Sequence, residues 1–469
     1  MIYLGRGSPD PVVTRRIRPP GMRIVSFSLV VPYPGIPHAG GEYYRRHLGA
    51  LSALGHEVTV VAPDTELNRI GLARTQDPGR VVLVAGDDSP GMKVLDRLAA
   101  IVVPHWLAPS RRRALRRSPV VREALRRAEF VEAQWEETAF LLRGAARSRP
   151  TALVAHDVPL QRELRWLRSA RAQSATRKVV WRSWRALVVA VTQPASFRSA
   201  DVVIVLSDKD ARQVRGAGRH PRVVAIDPPL WDPAEHPVPS VGGSAASPGG
   251  EAASPGGSAV PLVGSAAPGS DSAPLLGGSS TPSGGATVPR GGPAVFVAAF
   301  DRRENVEAAV WLLDEVWPSV RAALPGATLA LVGVHPPESL YARAALTPGV
   351  TVTGYVDDLD EVYRTASAAL VPLHSGAGVK FKTIDALLRG LPVVTTRVGA
   401  EGITNDDGRF PFPVTDDPRE FAAAVVAALG ASSAQDPAVT EWARSKYGAD
   451  RYAHRLAELI AGLGAHSPH

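Results

Sequence analysis

His374-Ser375-Gly376-Ala377-Gly378-Val379-Lys380-Phe381-Lys382-Thr383-Ile384-Asp385-Ala386, running on to Gly390-Leu391-Pro392-Val393-Val394-Thr395-Thr396, is the stretch that decides the fold. An apolar run, Ala368 to Leu373, enters a glycine-rich turn, the turn opens a helix, and a second apolar strand follows Pro392. Glycines let a backbone come close to a ligand, and the first N–H groups of a helix point at negative charge. Lys380 and Lys382 stand where they would neutralise that charge. Asp385, three residues on, is placed to accept hydrogen bonds from a ribose diol, as carboxylates do in other nucleotide sites. The pattern predicts a site for a phosphate-bearing nucleotide ligand.

Alternation of strand and helix extends outward in both directions, the mark of βαβ units. In the first half strands are predicted at Arg23–Val31, Glu57–Ala62, Arg80–Ala85, Phe130–Gln134, Ala152–Ala155, Asp201–Leu206 and Arg222–Ile226. Helices are predicted at Gly41–Leu54, Leu107–Arg127 and Ser174–Val191. In the second half strands are expected at Ala294–Ala299, Thr328–Val332, Val350–Thr353 and Ala368–Leu373. Helices are expected at Glu304–Trp317, Leu359–Ala366 and Asp436–Leu463, the last broken near Gly448 and docking back on the first half. From Val238 to Gly292 the composition turns to Gly, Ser, Ala and Pro with hardly a charge. Such a segment buries too little apolar surface to offset its ordering entropy, so it reads as a disordered linker. It is far longer than a join between two domains requires.

Composition narrows the function. The chain has 469 residues, 45% of them hydrophobic and 21% charged, enough for two or three cores. It has no cysteine, which excludes disulfides, thiolate catalysis and Cys-ligated zinc and makes a cytoplasmic protein the default. Residues 1–21 are basic, proline-containing and without an apolar core, so they read as a tail and not as a secretory signal. No window reaches the ~20 apolar residues that a transmembrane helix needs. The formal charge of +8 is uneven: Gly91 to Phe130 holds ten basic and three acidic residues, 10 − 3 = +7. Aromatics are scarce there, which argues against nucleic acid and for peripheral contact with an anionic membrane surface or an anionic acceptor. Solvated helix faces would give the same composition.

The block Gly-x-Gly-x-Lys-x-Lys-x-x-acid-Ala, then Gly390-Leu391-Pro392-Val393-Val394 with Thr396, then Gly399-Ala400-Glu401-Gly402, resembles the donor site of retaining glycosyltransferases of family 4. The resemblance implies a GT-B fold: two Rossmann-like doubly wound α/β domains facing across a cleft. It implies transfer of a sugar from a nucleotide-diphosphate sugar to an acceptor hydroxyl with retention, with no metal and no cofactor beyond the co-substrate. The acceptor, whether glycan, lipid-linked or small molecule, is left open. The domains would be 22–237 for the acceptor side and 293–450 for the donor side, with residues 451–469 as a C-terminal helix and tail.

The resemblance also assigns roles. Lys380 and Lys382 would meet the leaving diphosphate. Asp385 would hold ribose, and Gly376, Ala377, Gly378 and Glu401 would line the donor site. Pro34 to Gly41 resembles the family's Gly-Gly loop, so Gly40 and Gly41 would approach sugar or diphosphate. Val154-Ala155-His156-Asp157 resembles the strand end whose histidine contacts the transferred sugar, a role carried to His156; a structural histidine would fit the same place. His47 and His56 read as structural. Ser207 reads as a helix N-cap, and Asp357-Asp358 as a helix start and not a metal pair. Ala377 stands where many members have a first glutamate, and Asp385 is one methylene shorter than the usual second. Those departures support the alternative of a non-catalytic homologue that binds nucleotide or a protein partner; a sugar-nucleotide epimerase on the same fold is a separate alternative.

Overall fold

The computed structural model describes residues 21–36, 38–103, 106–144, 149–172, 176–218, 222–232, 291–405, 407–430 and 437–464. Most of the expected tail, and the expected linker up to residue 290, lie outside these. Two sheets carry the chain, and every strand pairing in them is parallel. The first contains β1 (Arg23–Phe27), β2 (Glu57–Pro63), β3 (Val81–Val84), β4 (Phe130–Gln134), β5 (Thr151–Ala155), β6 (Val202–Val205) and β7 (Val223–Ala225), in the order β3-β2-β1-β4-β5-β6-β7. The second contains β8 (Ala294–Val297), β9 (Leu329–Val332), β10 (Val350–Gly354), β11 (Ala368–Val371) and β12 (Val393–Thr395), in the order β10-β9-β8-β11-β12.

Central strands β4, β5, β6 and β11 are buried along their whole length, as helices on both faces of a parallel sheet require. One cluster of buried residues packs each face of the first sheet, and a third holds the second sheet. In each sheet the strand order reverses once, between β1 and β4 and between β8 and β11. A doubly wound sheet opens a crevice at that point, beyond the strand C-termini.

Several predicted boundaries move, each for a local reason. β1 ends at Phe27 because Ser28 both donates to the Val30 carbonyl (2.6 Å) and accepts from the Val30 N–H (3.1 Å), turning the chain. The single arginine-rich helix becomes two, Pro109–Arg117 and Pro119–Arg127. Pro119 cannot continue the first, and Ser118 caps the second by accepting from the Val121 N–H. The helix expected at 304–317 runs Arg303–Trp311 and widens into a π turn over Leu312–Val316. It then continues as Trp317–Ala323; Pro318 has no N–H for the regular ladder. Helices Pro90–Val102 and Pro159–Ala172 were not anticipated.

Among the described residues the chain crosses between the two cores twice. Ile226 belongs to the first core, and Leu230 and Trp231 already belong to the second. Tyr447 belongs to the second and Tyr452 to the first, so the helix Ala449–Gly464 does dock back as expected. The crossings lie side by side: Leu230 and Trp231 donate to the Tyr447 carbonyl (2.9 Å each), and Ala449 donates to the Trp231 carbonyl (2.8 Å). After residue 290 the chain re-enters on the second core, where Pro293 accepts from the Ser367 N–H. The crossing is therefore complete before the segment read as an interdomain linker begins.

Candidate active site

The block that opened the sequence lies at the reversal point of the second sheet, in the loop that leaves β11. Gly376 (φ +111°) and Gly378 (φ +69°) take backbone conformations that L side chains rarely adopt. The loop delivers Lys380 as the N-cap of the helix Phe381–Leu388. The Lys380 ammonium curls back to donate to the carbonyls of Gly378 (2.6 Å) and Ala377 (3.1 Å). Lys382 donates to Asn305 Oδ1 (2.8 Å) and lies 4.9 Å from the Phe296 ring centre, while Asn305 donates to the Ala299 carbonyl (2.6 Å).

Both lysines are held in an environment that disfavours their charge. Burial lowers the Lys380 pKa to about 8, against the pull of Glu401 and with the push of Arg165 and Lys209. Burial, Lys380 and Arg302 bring Lys382 to about 7. Two cations crowded at a helix start form a site short of negative charge. Asp385 keeps 35% of its side chain exposed and sits 3.7 Å from Arg389; burial raises its pKa and Arg389 opposes the rise.

Glu401 lies on the same rim, but its carboxylate is engaged by the other half of the molecule. Arg165 reaches it with two hydrogen bonds (2.7 and 2.6 Å), Gln161 donates to it (2.6 Å) and Lys209 sits at 2.9 Å. Burial would raise its pKa, yet the Arg165 hydrogen bonds, Lys209 and Lys380 outweigh that and hold it at about 2. Glu401 joins the two halves; its expected contact with the donor would run through Lys380, 4.0 Å away. Arg165 also donates to the Gly376 carbonyl.

The facing wall comes from the first sheet. His156, just past β5, is stacked on Trp135 (ring centres 4.3 Å, planes 9° apart) and meets the Tyr43 edge at 4.9 Å. Trp135 follows β4 with φ +67°, an uncommon backbone for a non-glycine residue. A Cβ on Gly40 would lie 3.1 Å from Trp135 and 3.3 Å from His156 Nδ1, so Gly40 does form part of this wall. Gly41 does not: its missing side chain makes room for Ile36, 2.7 Å from where a Cβ would stand. Its N–H donates to His38 Nδ1 (2.9 Å), which caps the helix Ala39–Ala53.

A buried hydrogen-bond chain orients His156. Gln134 Nε2 donates to Glu132 Oε1 (3.0 Å), which turns Gln134 Oε1 toward His156 Nε2 (3.1 Å). His156 Nε2 therefore carries the proton and Nδ1 is an acceptor, buried and without a partner. Burial, with His38 and His47 nearby, lowers the His156 pKa to about 3, so it acts as a neutral hydrogen-bonding group and not as a cation. Glu132 also accepts from Ser26 (2.6 Å) and His47 Nε2 (3.0 Å). His47 Nδ1 meets the Tyr452 hydroxyl at 2.7 Å, and Tyr452 meets Tyr43 at 2.7 Å. The chain thus runs from the C-terminal helix to the cleft, with Glu132 as its ion. Burial would raise the Glu132 pKa, but His47, Ser26 and Gln134 bring it below its usual value.

The two walls touch. A Cβ on Gly378 would lie 2.8 Å from the His156 carbonyl oxygen, and one on Gly402 2.9 Å from Ser207 Oγ. The freedom of Gly378 is spent on contact between the halves, where the sequence reading placed a ligand. Ser207 caps its helix, accepting from the Asp210 N–H (3.2 Å), and Asp358 caps another through the N–H groups of Asp360 and Glu361. His47 and His56 have the structural roles expected, the latter accepting from the Met22 N–H (3.1 Å).

Similarity to solved structures covers almost the whole chain. Anabaena HepE, solved with UDP and glucose, matches 94% of this chain and 100% of its own with a TM-score of 0.57 at 13% identity. Sucrose-phosphate synthase from Thermosynechococcus elongatus matches 94% of this chain and 99% of its own, also at 0.57, with 17% identity. The fold is GT-B. Residues 293–431 match the family model "Glycosyl transferases group 1". A Klebsiella pneumoniae protein described as an uncharacterized 44.6 kDa protein in the cps region is 27% identical over 121 residues. That match spans 24% of this chain and 31% of the Klebsiella protein.

Within this GT-B crevice, sequence reasoning brought together Lys380, Lys382, Gly376, Gly378 and His156, and placed Asp385 at the edge. It missed Arg165, Gln134, Trp135 and Asn305. Arg165 lies on a helix that was not anticipated. Gln134 was readable only as the polar end of an apolar strand.

Proposed function

We propose that this protein is a metal-independent, retaining glycosyltransferase that moves a sugar from a nucleotide-diphosphate sugar to an acceptor hydroxyl. The observation that carries the reading is the crowding of Lys380 and Lys382 at the start of a helix, at the reversal point of a parallel sheet, after a loop whose Gly378 packs against the His156 carbonyl. A diphosphate in that place would restore the charge balance that burial disturbs. HepE, with UDP and glucose bound in the same fold, supports a nucleotide sugar as the partner.

In the proposed reaction the bond between the sugar anomeric carbon and the β-phosphate oxygen breaks, and charge grows on the leaving diphosphate. Lys380, Lys382 and the N–H groups at the helix start meet that charge, which is why no metal is needed. The acceptor oxygen bonds the anomeric carbon on the face the diphosphate leaves, and its proton passes to the departing phosphate oxygen. His156 Nδ1 accepts a sugar hydroxyl hydrogen, and Asp385 accepts from the ribose.

Purified protein tested against UDP-, GDP-, ADP- and dTDP-sugars for binding, hydrolysis, transfer and epimerisation tests this. Release of nucleoside diphosphate with one donor is expected. Binding without turnover would make the chain a non-catalytic homologue, and an epimerised sugar nucleotide would make it an epimerase.

A further inference from the structure

Two helices of the first half carry apolar side chains on their solvent face as well as on their packed face. Helix Pro90–Val102 packs inward through Met92, Asp96 and Ala99, while Val94, Leu95, Leu98, Ile101 and Val102 are all at least half exposed. Spacings of one, three and four put these five on one face. Helix Thr176–Phe197 packs through Ala186, Val189, Gln193 and Phe197 and turns Val180, Trp181, Trp184, Leu187 and Val191 to solvent. Trp181 and Trp184 are each 43% exposed, so they are not core. Trp184 Nε1 donates to the Ile101 carbonyl (3.3 Å), which sets the two helices side by side. The apolar ridges therefore form one surface, of a kind that soluble proteins seldom leave uncovered.

The charge exposed on these two helices is of one sign. Lys93, Arg97, Arg177 and Lys178 are exposed on the same two helices. The only acid on either helix, Asp96, is taken up by the N–H and hydroxyl of Ser110 (2.9 and 2.5 Å). A second copy docked through this face would set cation against cation, and a nucleic acid would leave the ridges unburied. An anionic lipid surface satisfies both parts: acyl chains receive the ridges while headgroups meet the cations.

We propose that helices Pro90–Val102 and Thr176–Phe197 dock this protein on an anionic membrane surface, with Trp181 and Trp184 at the headgroup level. Helix Thr176–Phe197 packs along helix Pro159–Ala172, whose Leu164 faces out and whose Arg165 reaches the cleft. The docked face and the catalytic crevice thus share one helical hairpin. Only the consequence, that a membrane-held acceptor comes within reach, rests on the proposed transfer; docking itself is read without turnover.

Flotation of the full chain with phosphatidylglycerol-containing vesicles and with pure phosphatidylcholine vesicles tests the proposal. Flotation with the anionic vesicles alone, reversed by high salt, is expected. Leu98→Ser combined with Leu187→Ser should lower partitioning on the order of tenfold or more, with thermal stability unchanged because both side chains lie outside the core. Quenching of tryptophan fluorescence by brominated anionic lipid should be lost when Trp181 and Trp184 are both replaced by Ser. Protein that stays in solution overturns the proposal, as does equal binding to both vesicles or full flotation of the double variant. A dimer that the double variant dissolves, without flotation, would assign the surface to a second copy and overturn it equally.

Discussion

The two walls of the crevice solve opposite problems. The wall from the first sheet is nearly complete: Glu132, His47, Gln134, Tyr43 and Tyr452 satisfy one another, and His156 Nδ1 is the one acceptor of that chain left open. The wall from the second sheet is unfinished, because Lys380 and Lys382 are held with their charges disfavoured. A finished polar network gives shape. An unfinished one gives binding energy to whatever completes it. Mutations in the two walls should therefore fail differently.

The largest separation is expected at Lys380. Lys380→Ala should cost about 3 to 4 kcal/mol of transition-state stabilisation, a hundredfold or more in kcat, with the melting temperature maintained. A variant with half the wild-type rate would remove Lys380 from the reaction. On the other wall, Glu132→Ala leaves His47, Ser26 and Gln134 without their acceptor in the interior. It should lower stability by about 3 kcal/mol, read from denaturant unfolding. If it instead folds like wild type and loses only activity, the first wall is not the structural one.

Acidity offers a sharper test. The free lysines titrate at about 7 and about 8, and a bound diphosphate raises both values. Binding then takes up protons, so nucleoside-diphosphate affinity should fall as pH rises from 7 to 9, by roughly tenfold or more. Calorimetry in buffers of different ionisation enthalpy reads the proton uptake directly. Constant affinity over that range would mean that the lysines do not meet the diphosphate. His156, already neutral above pH about 3, contributes nothing to this profile. A smaller effect, about 1 kcal/mol of stability, is expected for Tyr452→Phe, which removes the hydroxyl shared with His47 and Tyr43.

The second wall was largely legible in the sequence and the first was not. Glycines, lysines and an acid within ten residues, Gly376 to Asp385, form a local pattern, and local patterns survive in a linear reading. The first wall is assembled from β1, β4, β5, the first helix and the last, so Ser26, His47, Glu132 and Tyr452 are separated by up to several hundred residues. No spacing announces that they meet. Gly378 shows the remaining limit: its requirement for glycine was evident, but the group it approaches, the His156 carbonyl, lies 222 positions away, from 378 − 156. The first arginine-rich helix failed in a simpler way, because Pro119 restarts a helix that composition alone had continued.

The paired crossings have a mechanical consequence. Among the described residues, 227–229 and 448–451 carry the covalent continuity between the cores, and beside them Leu230 and Trp231 are hydrogen-bonded to Tyr447 and Ala449. Any opening of the crevice must turn about these crossings like a cover about its spine, with the Arg165–Glu401 ion pair as the clasp at the mouth. Trp231 and Ala294, on either side of the segment read as a linker, both belong to the second core. The covalent path between the cores does not depend on the length of that segment. Shortening it to about ten residues should leave both the melting temperature and the rate of sugar transfer as they were.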